Sequence, residues 1–261
     1  MRRGPSRALQ KTPVALILTA VAGFVDVFGY VFIYGVYVAH MTGNTVATAR
    51  HLVDLQFYGL LRHSWPILAF VLGLIIGAFI LDAQLRRPVP PPISLPLLLE
   101  AVLLATFIAA ASGVNFTASI PSQPAARYYL TVALLALAMG MQNVVVRRIG
   151  GVNIYTTFVT GTLVKFGEAA ANFVFWFRDR TRHRLRPRLC KVLRIAPRQR
   201  DFHHLRLTIA LFLAYFAGAY CGTLAGLKYE LRAMFIPLGI MAGLTLYSAI
   251  RPFAHLKEEE W

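Results

Sequence analysis

Hydrophobic residues dominate six long stretches of the chain, and polar residues separate them. The stretches are 14–38, 66–81, 95–112, 128–146, 207–227 and 233–250. A helix needs roughly 17 to 25 mostly apolar residues to cross the hydrocarbon core of a bilayer. Each stretch is therefore predicted to be a membrane-spanning helix.

Two weaker apolar stretches, 45–61 and 154–177, each contain a pair of opposite charges. Arg50 and Asp54 are four residues apart, and Lys165 and Glu168 are three residues apart, so each pair would meet on one face of a helix. The sequence leaves open whether these two stretches cross the membrane fully or enter it only in part.

Two parts of the chain carry almost the same succession of residues. The first runs from Gly23, with an acid at Asp26, to the triplet 42–44, and the second runs from Gly140, with an amide at Asn143, to the triplet 160–162. We therefore predict a duplicated membrane unit. Glycine-interrupted hydrophobic segments at corresponding positions of two halves indicate a transport site. The residues of the two triplets are Thr42, Gly43, Asn44, Thr160, Gly161 and Thr162.

Composition supports a membrane protein independently of the repeat. Apolar residues make up 57% of the chain and charged residues 15%, with a mean hydropathy of +0.58, whereas soluble domains contain roughly 25% charged residues. The predicted fold is an all-α integral membrane protein, a polytopic helical bundle of six to eight spans with an internal two-fold, parallel repeat. Its predicted parts are a basic cytoplasmic tail (1–12), a first membrane repeat (13–113), a connecting loop (114–127), a second membrane repeat (128–251) interrupted by a basic cytoplasmic loop (178–206), and a charged C-terminal tail (252–261).

Basic residues are concentrated in two places. Region 178–206 holds eleven of the 27 lysines and arginines, and the N-terminal tail also carries several. Cytoplasmic loops carry an excess of Lys and Arg, so both regions are predicted to face the cytoplasm. Eight crossings satisfy this condition with both halves in the same orientation, but Arg86, Arg87, Arg147 and Arg148 then face outward. The alternative is six or seven crossings with re-entrant segments at the Thr-Gly triplets.

The net charge of +16 would also fit nucleic-acid binding. Phe202 is the only aromatic residue of the basic region apart from its histidines, and membrane topology with attraction to anionic lipid headgroups accounts for the charge. No nucleic-acid partner is predicted. The two cysteines, Cys190 and Cys221, and the histidines lack metal-ligand spacing. We therefore predict no metal, no cofactor and no catalytic residue.

Asp26 lies inside the first apolar stretch, where a carboxylate costs about 2.5 to 3.5 kcal/mol. It should therefore have a partner or a proton. One interpretation is a proton or cation site whose charge alternates during transport, and the other is an interhelical hydrogen bond, a role that Asn143 would share. Gln142 extends the polar patch around Asn143, and Glu100 is a second acid inside a predicted span.

Each Thr-Gly triplet is expected to break a helix and start the next one. Gly43 and Gly161 adopt backbone conformations that other residues resist, and Thr and Asn side chains suit helix caps. Helix N-termini that point into a protein interior attract anionic or carbonyl groups, so two facing breaks would build one substrate or ion site. The alternative is a pair of ordinary turns at the membrane surface.

Two further glycine pairs are predicted to pack helices closely. Gly73 and Gly77 lie in one span and Gly218 and Gly222 in another. Small residues at this spacing let two helix backbones approach each other within a membrane.

The repeated motifs resemble those of the YoaK-like family of bacterial integral membrane proteins. They comprise 23–26 followed by 39–44, and 140–148 followed by 156–162, and the resemblance covers residues 13 to 250. It implies a multi-pass protein of the bacterial inner membrane, and it implies no activity because none is established for the family. The basic region 178–206 departs from the compact family pattern, so no role is carried over to it.

The favoured functional prediction is a transporter of a small solute or ion with a polar site between the two repeats. The alternative is a non-transporting membrane scaffold or accessory protein. An enzyme is disfavoured because the sequence contains no recognisable catalytic set or cofactor fingerprint. The predicted partners are the lipid bilayer with its anionic headgroups and a small-molecule or ion substrate, and an oligomer is left open.

Overall fold

The computed structural model describes residues 6–33, 35–86, 93–112, 126–150, 159–181 and 200–250, and within these ranges it contains helices and no strand. The predicted all-α membrane fold is confirmed. The helices are α1 (Ser6–Phe32), α2 (Met41–Val53), α3 (Phe57–Leu85), α4 (Ser94–Ala111), α5 (Ala126–Gly150), α6 (Val159–Thr181), α7 (Arg200–Tyr229) and α8 (Phe235–Ile250), with a short 3-10 helix, η1 (Glu230–Met234), before α8.

Each of the six strongly apolar stretches lies in a helix that is suited to a membrane. Five segments are long and apolar enough to cross one, and the last of them contains both α7 and α8. These segments are Thr12–Phe32, Phe57–Gln84, Ser94–Ala111, Ala126–Arg147 and Leu205–Ile250. The first stretch was predicted to remain helical to residue 38, but α1 ends at Phe32 and residues 35–40 before α2 are not helical.

The weaker stretch 45–61 is not one helix. The 13 residues of α2 span about 20 Å at a rise of roughly 1.5 Å per residue, which is short of the roughly 30 Å of hydrocarbon. A tight turn then reverses the chain into α3, with Leu55 in the left-handed region at φ 53°. Residues 159–177 of the second weak stretch lie in α6, which has 23 residues but is not among the five segments long and apolar enough to cross.

Helices α1 and α7 cross with their backbones in contact. A Cβ atom at Gly23 would collide with the carbonyl oxygen of Tyr215, and one at Gly218 would collide with the carbonyl oxygen of Ala20. Further along, Gly222 lies against the backbone of Phe24. Because the contacts advance along both helices together, α1 and α7 run in the same direction.

Helices α3 and α5 form a second crossing of the same kind. Gly73 lies against the carbonyl group of Leu137, Gly140 against that of Phe70, and Gly77 against Met141. These contacts also advance along both helices together, so α3 and α5 are parallel to each other. Glycine is required at both crossings because any side chain would push the two backbones apart.

The ends of the helices fix their relative directions. Arg127 at the start of α5 donates to the carbonyl oxygens of Ala110 and Ser112 at the end of α4, with both distances 2.6 Å. Ser112 also lines a cavity with Lys228 at the end of α7, and Gly226 of α7 contacts the ring of Phe32 at the end of α1. Helices α1, α4 and α7 therefore end at one face of the bundle, which we call the Lys228 face, and α5 begins there.

Helices α3 and α8 also begin on the Lys228 side. Trp65 in the early part of α3 donates from Nε1 to the carbonyl oxygen of Tyr129, 2.9 Å away, near the start of α5. Phe235, the first residue of α8, lines the same cavity as Ser112, and α8 packs along α4. Three helices (α1, α4, α7) thus run towards the Lys228 face and three (α3, α5, α8) run away from it.

These directions bear on the eight-crossing arrangement. Eight crossings require α1 and α3 to run the same way, whereas the structure has them opposed and joined through the short α2. The alternative of six or seven crossings with re-entrant Thr-Gly segments does not have this conflict with the helix directions. A parallel repeat would make α1 and α5, the first helices of the two halves, run in the same direction. In the structure, α1 runs towards the Lys228 face and α5 runs away from it.

Candidate functional site

Asp26 holds the irregular segment between α1 and α2. Its side chain is 3% exposed, and its Oδ1 atom accepts hydrogen bonds from three successive backbone N–H groups. These belong to Val38 at 3.0 Å, Ala39 at 2.7 Å and His40 at 3.3 Å. Consecutive amides that converge on one oxygen form a site for negative charge, so the carboxyl group satisfies backbone donors of the segment that leads into α2.

The second oxygen of Asp26 ties this segment to α7. The hydroxyl group of Tyr215 donates to Oδ2 over 2.7 Å, close to the place where Gly23 contacts the Tyr215 backbone. Both carboxyl oxygens are therefore engaged by the protein. Of the two interpretations of Asp26, these contacts support the interhelical hydrogen bond more directly than an open ion site.

The first Thr-Gly triplet lies in the first turn of α2, after the break. The residue that caps α2 is His40, and it makes no side-chain capping bond, so the predicted capping by Thr42 or Asn44 is wrong. Asn44 instead is fully buried and forms two hydrogen bonds with the backbone of Tyr37. Its Oδ1 atom accepts from the Tyr37 N–H at 3.2 Å and its Nδ2 atom donates to the Tyr37 carbonyl oxygen at 2.6 Å.

The absence of a side chain at Gly43 leaves space for the Tyr37 ring. A Cβ atom at Gly43 would lie 2.9 Å from two atoms of that ring, and the ring stacks on Tyr30 with centroids 4.7 Å apart. The turn itself needs Gly35, whose φ of +75° lies in the left-handed region. The expected glycine-dependent break therefore occurs at Gly35, eight residues before the triplet glycine, and Gly43 provides space.

Of the second triplet, the structure describes Gly161 within the first turn of α6, which begins at Val159. The side chains of Thr160 and Thr162 and residues 151–158 lie outside the described part of the chain. The predicted meeting of the two triplets in one site therefore stays a prediction.

The polar patch of α5 faces the interior of the bundle. Gln142 is fully buried and Asn143 is 5% exposed. Asn143 donates to the carbonyl oxygen of Met139 over 3.0 Å, one turn back along its own helix. Gln142 points towards α4, where its side chain comes close enough to interact with the carboxyl group of Glu100.

Glu100 and Gln142 form an unsatisfied polar pair between α4 and α5. Glu100 is 0% exposed. Neither carboxyl oxygen of Glu100 and neither polar side-chain atom of Gln142 meets the distance and angle limits of a hydrogen bond to another described residue, although the two side chains lie next to each other. Nearly all buried polar groups in proteins are bonded, and an exception requires an explanation such as a water, an ion or a function.

Arg50, Asp54, His51 and His63 belong to α2, its C-cap and α3, not to the two helices that carry this pair. Arg50 and Asp54 form the predicted ion pair, with Nε and Oδ2 3.6 Å apart, on an exposed part of α2. His51 stacks on His63 with ring centroids 5.3 Å apart and contacts Gln56 through Nδ1 at 2.9 Å. Within the described ranges, no group of three His, Cys, Asp or Glu side chains is placed to hold a metal ion.

Comparison with known proteins places the chain in a family. Residues 14–247 match a family described as "Protein of unknown function (DUF1275)". The chain belongs to this family. It is also similar to the UPF0700 transmembrane protein YoaK of Bacillus subtilis (strain 168), with 24% identity over 218 residues, covering 80% of this chain and 92% of YoaK. The predicted resemblance is confirmed, and the protein is a transmembrane protein. No solved structure matches the chain significantly.

Sequence reasoning missed two partners at these sites. Tyr215 lies in a long apolar helix, 189 residues from Asp26, and no spacing rule links them. Glu100 was recognised as a costly acid, but its neighbour Gln142 was assigned to the repeat motif alone. Amphipathic Tyr and amide residues inside spans are the only local signal for such partners, because the pairing itself depends on how the helices cross.

Proposed function

We propose that this membrane protein is a secondary transporter of a small solute or ion, in which Glu100 and Gln142 hold the coupling proton or cation. The supporting observation is the fully buried carboxyl group of Glu100 without a hydrogen-bond partner among the described residues. Isolated charge within a membrane protein is costly. A bound proton or small cation would remove that cost, and its release would restore it, which is the behaviour needed for coupling.

The proposal includes an inverted repeat. The first half contributes α1 to α4 and the second half α5 to α8. The crossing of α1 with α7 then corresponds to that of α5 with α3, so the first helix of each half packs on the third helix of the other. Corresponding helices α1 and α5 run in opposite directions, as in transporters whose two repeats have inverted topology.

The position of the polar pair supports a site between these halves. Glu100 belongs to α4, the last helix of the first half, and Gln142 to α5, the first helix of the second half. Inverted-repeat transporters place substrate and coupling ions at the interface of the repeats near the bilayer midplane. Asp26 and Asn44 would then be positioning residues that hold the segment between α1 and α2, and they would not themselves bind the substrate.

The distribution of charge supports an orientation with the Lys228 face outside. Six crossings put the start of α1, the ends of α3, α5 and α8 and the start of α7 at the opposite face. The segments attached to these ends carry nearly all basic residues, including region 178–206, Arg86 and Arg147. A cytoplasmic location of that face follows the positive-inside rule and removes the outward arginines of the eight-crossing arrangement. The basic residues elsewhere in the chain are Arg50, Arg62, Arg127, Lys165, Lys228 and Arg232.

The second candidate function is a non-transporting scaffold or accessory protein. The observation that favours it is Asp26, the motif acid, whose two oxygens are both used to fix the backbone and α7. In that case the repeated motif would serve helix packing alone, and Glu100 would be a tolerated buried acid. Neither candidate includes a chemical step, a cofactor or a nucleic-acid partner.

Infrared difference spectroscopy on the protein in liposomes tests the role of Glu100 without knowledge of the substrate. We expect a buried carboxyl band that changes when pH or Na⁺ is stepped, that is absent in Glu100→Gln, and that remains in the control Asp54→Asn, which removes an exposed acid. Uptake of a panel of labelled solutes, driven by a pH or Na⁺ gradient, should be lost in Glu100→Gln while the variant remains folded.

The transporter proposal is overturned, and the scaffold function is supported, if the carboxyl band does not respond to pH or cations and wild-type liposomes accumulate none of the solutes. A band that responds equally in wild type and Glu100→Gln would assign the ion to another residue and would also contradict the proposal.

A further inference from the structure

A long apolar cleft opens between α1, α7 and α8 at the Lys228 face. Its volume is about 510 Å³, which lies within the roughly 300 to 1,000 Å³ of ordinary ligand sites. The 3-10 helix η1 separates the end of α7 from the start of α8, and Glu230 at its first position lies in the left-handed region at φ 49°. This change of chain direction leaves the cleft between the two helices. Helix α8 therefore packs on α4 while α7 stays on α1.

Small residues on α7 keep the cleft open. Ala217, Gly218, Cys221 and Ala225 form one wall, and Ile236 and Ile240 of α8 form the other. Gly218 lies against Ala20 of α1, and Ala20, Val21 and Phe24 complete the apolar lining on the α1 side. A surface of this composition accepts a hydrocarbon chain and gives a polar solute nothing to bind.

The outer end of the cleft changes from apolar to cationic. Lys228 and Tyr229 line it and also line a second cavity of about 520 Å³, to which Glu230 and Arg232 contribute. The ammonium group of Lys228 lies 5.2 Å from the centroid of the Tyr229 ring. Among the described residues, no ion pair joins Glu230 to Lys228 or Arg232, so the two cations remain able to bind an anion.

We infer that this cleft is a binding site for one anionic phospholipid. An acyl chain would lie between α7 and α8, and the phosphate would lie at Lys228 and Arg232, where cations near a membrane surface attract anionic headgroups. The combination of an apolar slot with a cationic end fits an anionic amphiphile and does not fit a zwitterionic lipid equally well. This site is separate from Glu100 and Gln142, and it stands whether or not the protein transports a solute.

Native mass spectrometry of the full-length protein, supplied with phosphatidylglycerol or phosphatidylcholine in detergent, tests the inference. We expect wild type to retain phosphatidylglycerol in preference to phosphatidylcholine. Each of Lys228→Gln and Arg232→Gln should weaken phosphatidylglycerol binding about fivefold and leave phosphatidylcholine binding unchanged. The matched control is Arg50→Gln, which removes an exposed cation of α2 and should change neither.

A second variant tests the apolar part. Ala217 is exposed in the wall of the cleft, so Ala217→Phe fills the slot without entering the crossing of α1 and α7, and it should abolish retention of phosphatidylglycerol. Equal retention of the two lipids by wild type, or full retention by folded Ala217→Phe, would overturn the inference. Loss of Cys221 labelling on dimer formation, with no change on lipid addition, would instead assign the cleft to a second copy of the chain.

Discussion

Two acids lie inside the bundle, and their surroundings are opposite. Asp26 accepts three backbone hydrogen bonds and one from Tyr215, whereas Glu100 is more deeply buried and has no partner among the described residues. The difference shows that burial alone does not identify a functional acid. A fully bonded carboxyl group holds structure together, whereas an unbonded one requires another explanation, such as a bound proton or ion.

The largest loss of stability is expected at a glycine helix crossing, which involves neither acid. Gly218→Ala would place a Cβ atom on the carbonyl oxygen of Ala20, and backbone cannot move aside cheaply, so we expect a loss of more than about 3 kcal/mol or failure to assemble. Thermal unfolding in detergent measures it. Gly239→Ala is the matched control, since nothing lies within 4 Å of its Cβ position, and it should be neutral or slightly stabilising. Similar melting temperatures for the two variants would contradict the close crossing.

Removing the bonded acid should have the next largest effect. Asp26→Ala leaves three backbone N–H groups and the Tyr215 hydroxyl without their acceptor, so we expect destabilisation of about 3 kcal/mol. Tyr215→Phe removes one of these bonds and should cost about 1 kcal/mol. Tyr220→Phe serves as control because Tyr220 is on the same helix but 60% exposed. If Asp26→Ala melts like wild type, the anchoring role of Asp26 is incorrect.

The smallest stability effect is expected at the unbonded acid. Glu100→Gln keeps the size of the side chain and removes the cost of burying a carboxyl group, so the free energy of unfolding should stay the same or rise by up to about 1 kcal/mol. Chemical unfolding of Glu100→Gln beside Asp26→Asn gives the comparison directly. A marked loss of stability in Glu100→Gln would mean that Glu100, like Asp26, supports the fold.

Local chemistry let the sequence predict the helices. Length and apolarity alone identified the six strong stretches, because a bilayer demands about 20 apolar residues per helix. The spacing of Arg50 and Asp54 predicted their ion pair for the same reason, since neighbours on one helix turn depend only on helical geometry.

The sequence was less informative at the break between α1 and α2. The sequence contains both the triplet at Thr42 and a glycine at position 35. Which of them forms the turn depends on the backbone N–H groups that Asp26 binds. The sequence also did not predict that His40 caps α2 without a side-chain bond. The amides before α2 are instead satisfied by an acid on another helix.

By itself the sequence determined that the chain is a helical membrane protein with costly acids at positions 26 and 100, since these properties depend on residue type and on the thickness of lipid. Only the tertiary structure decided that Tyr215 bonds to Asp26, that Gln142 faces Glu100, and that α1 and α3 run in opposite directions. Those facts depend on contacts between residues far apart in the chain, and the glycine crossings that create them are fixed by how two whole helices pack.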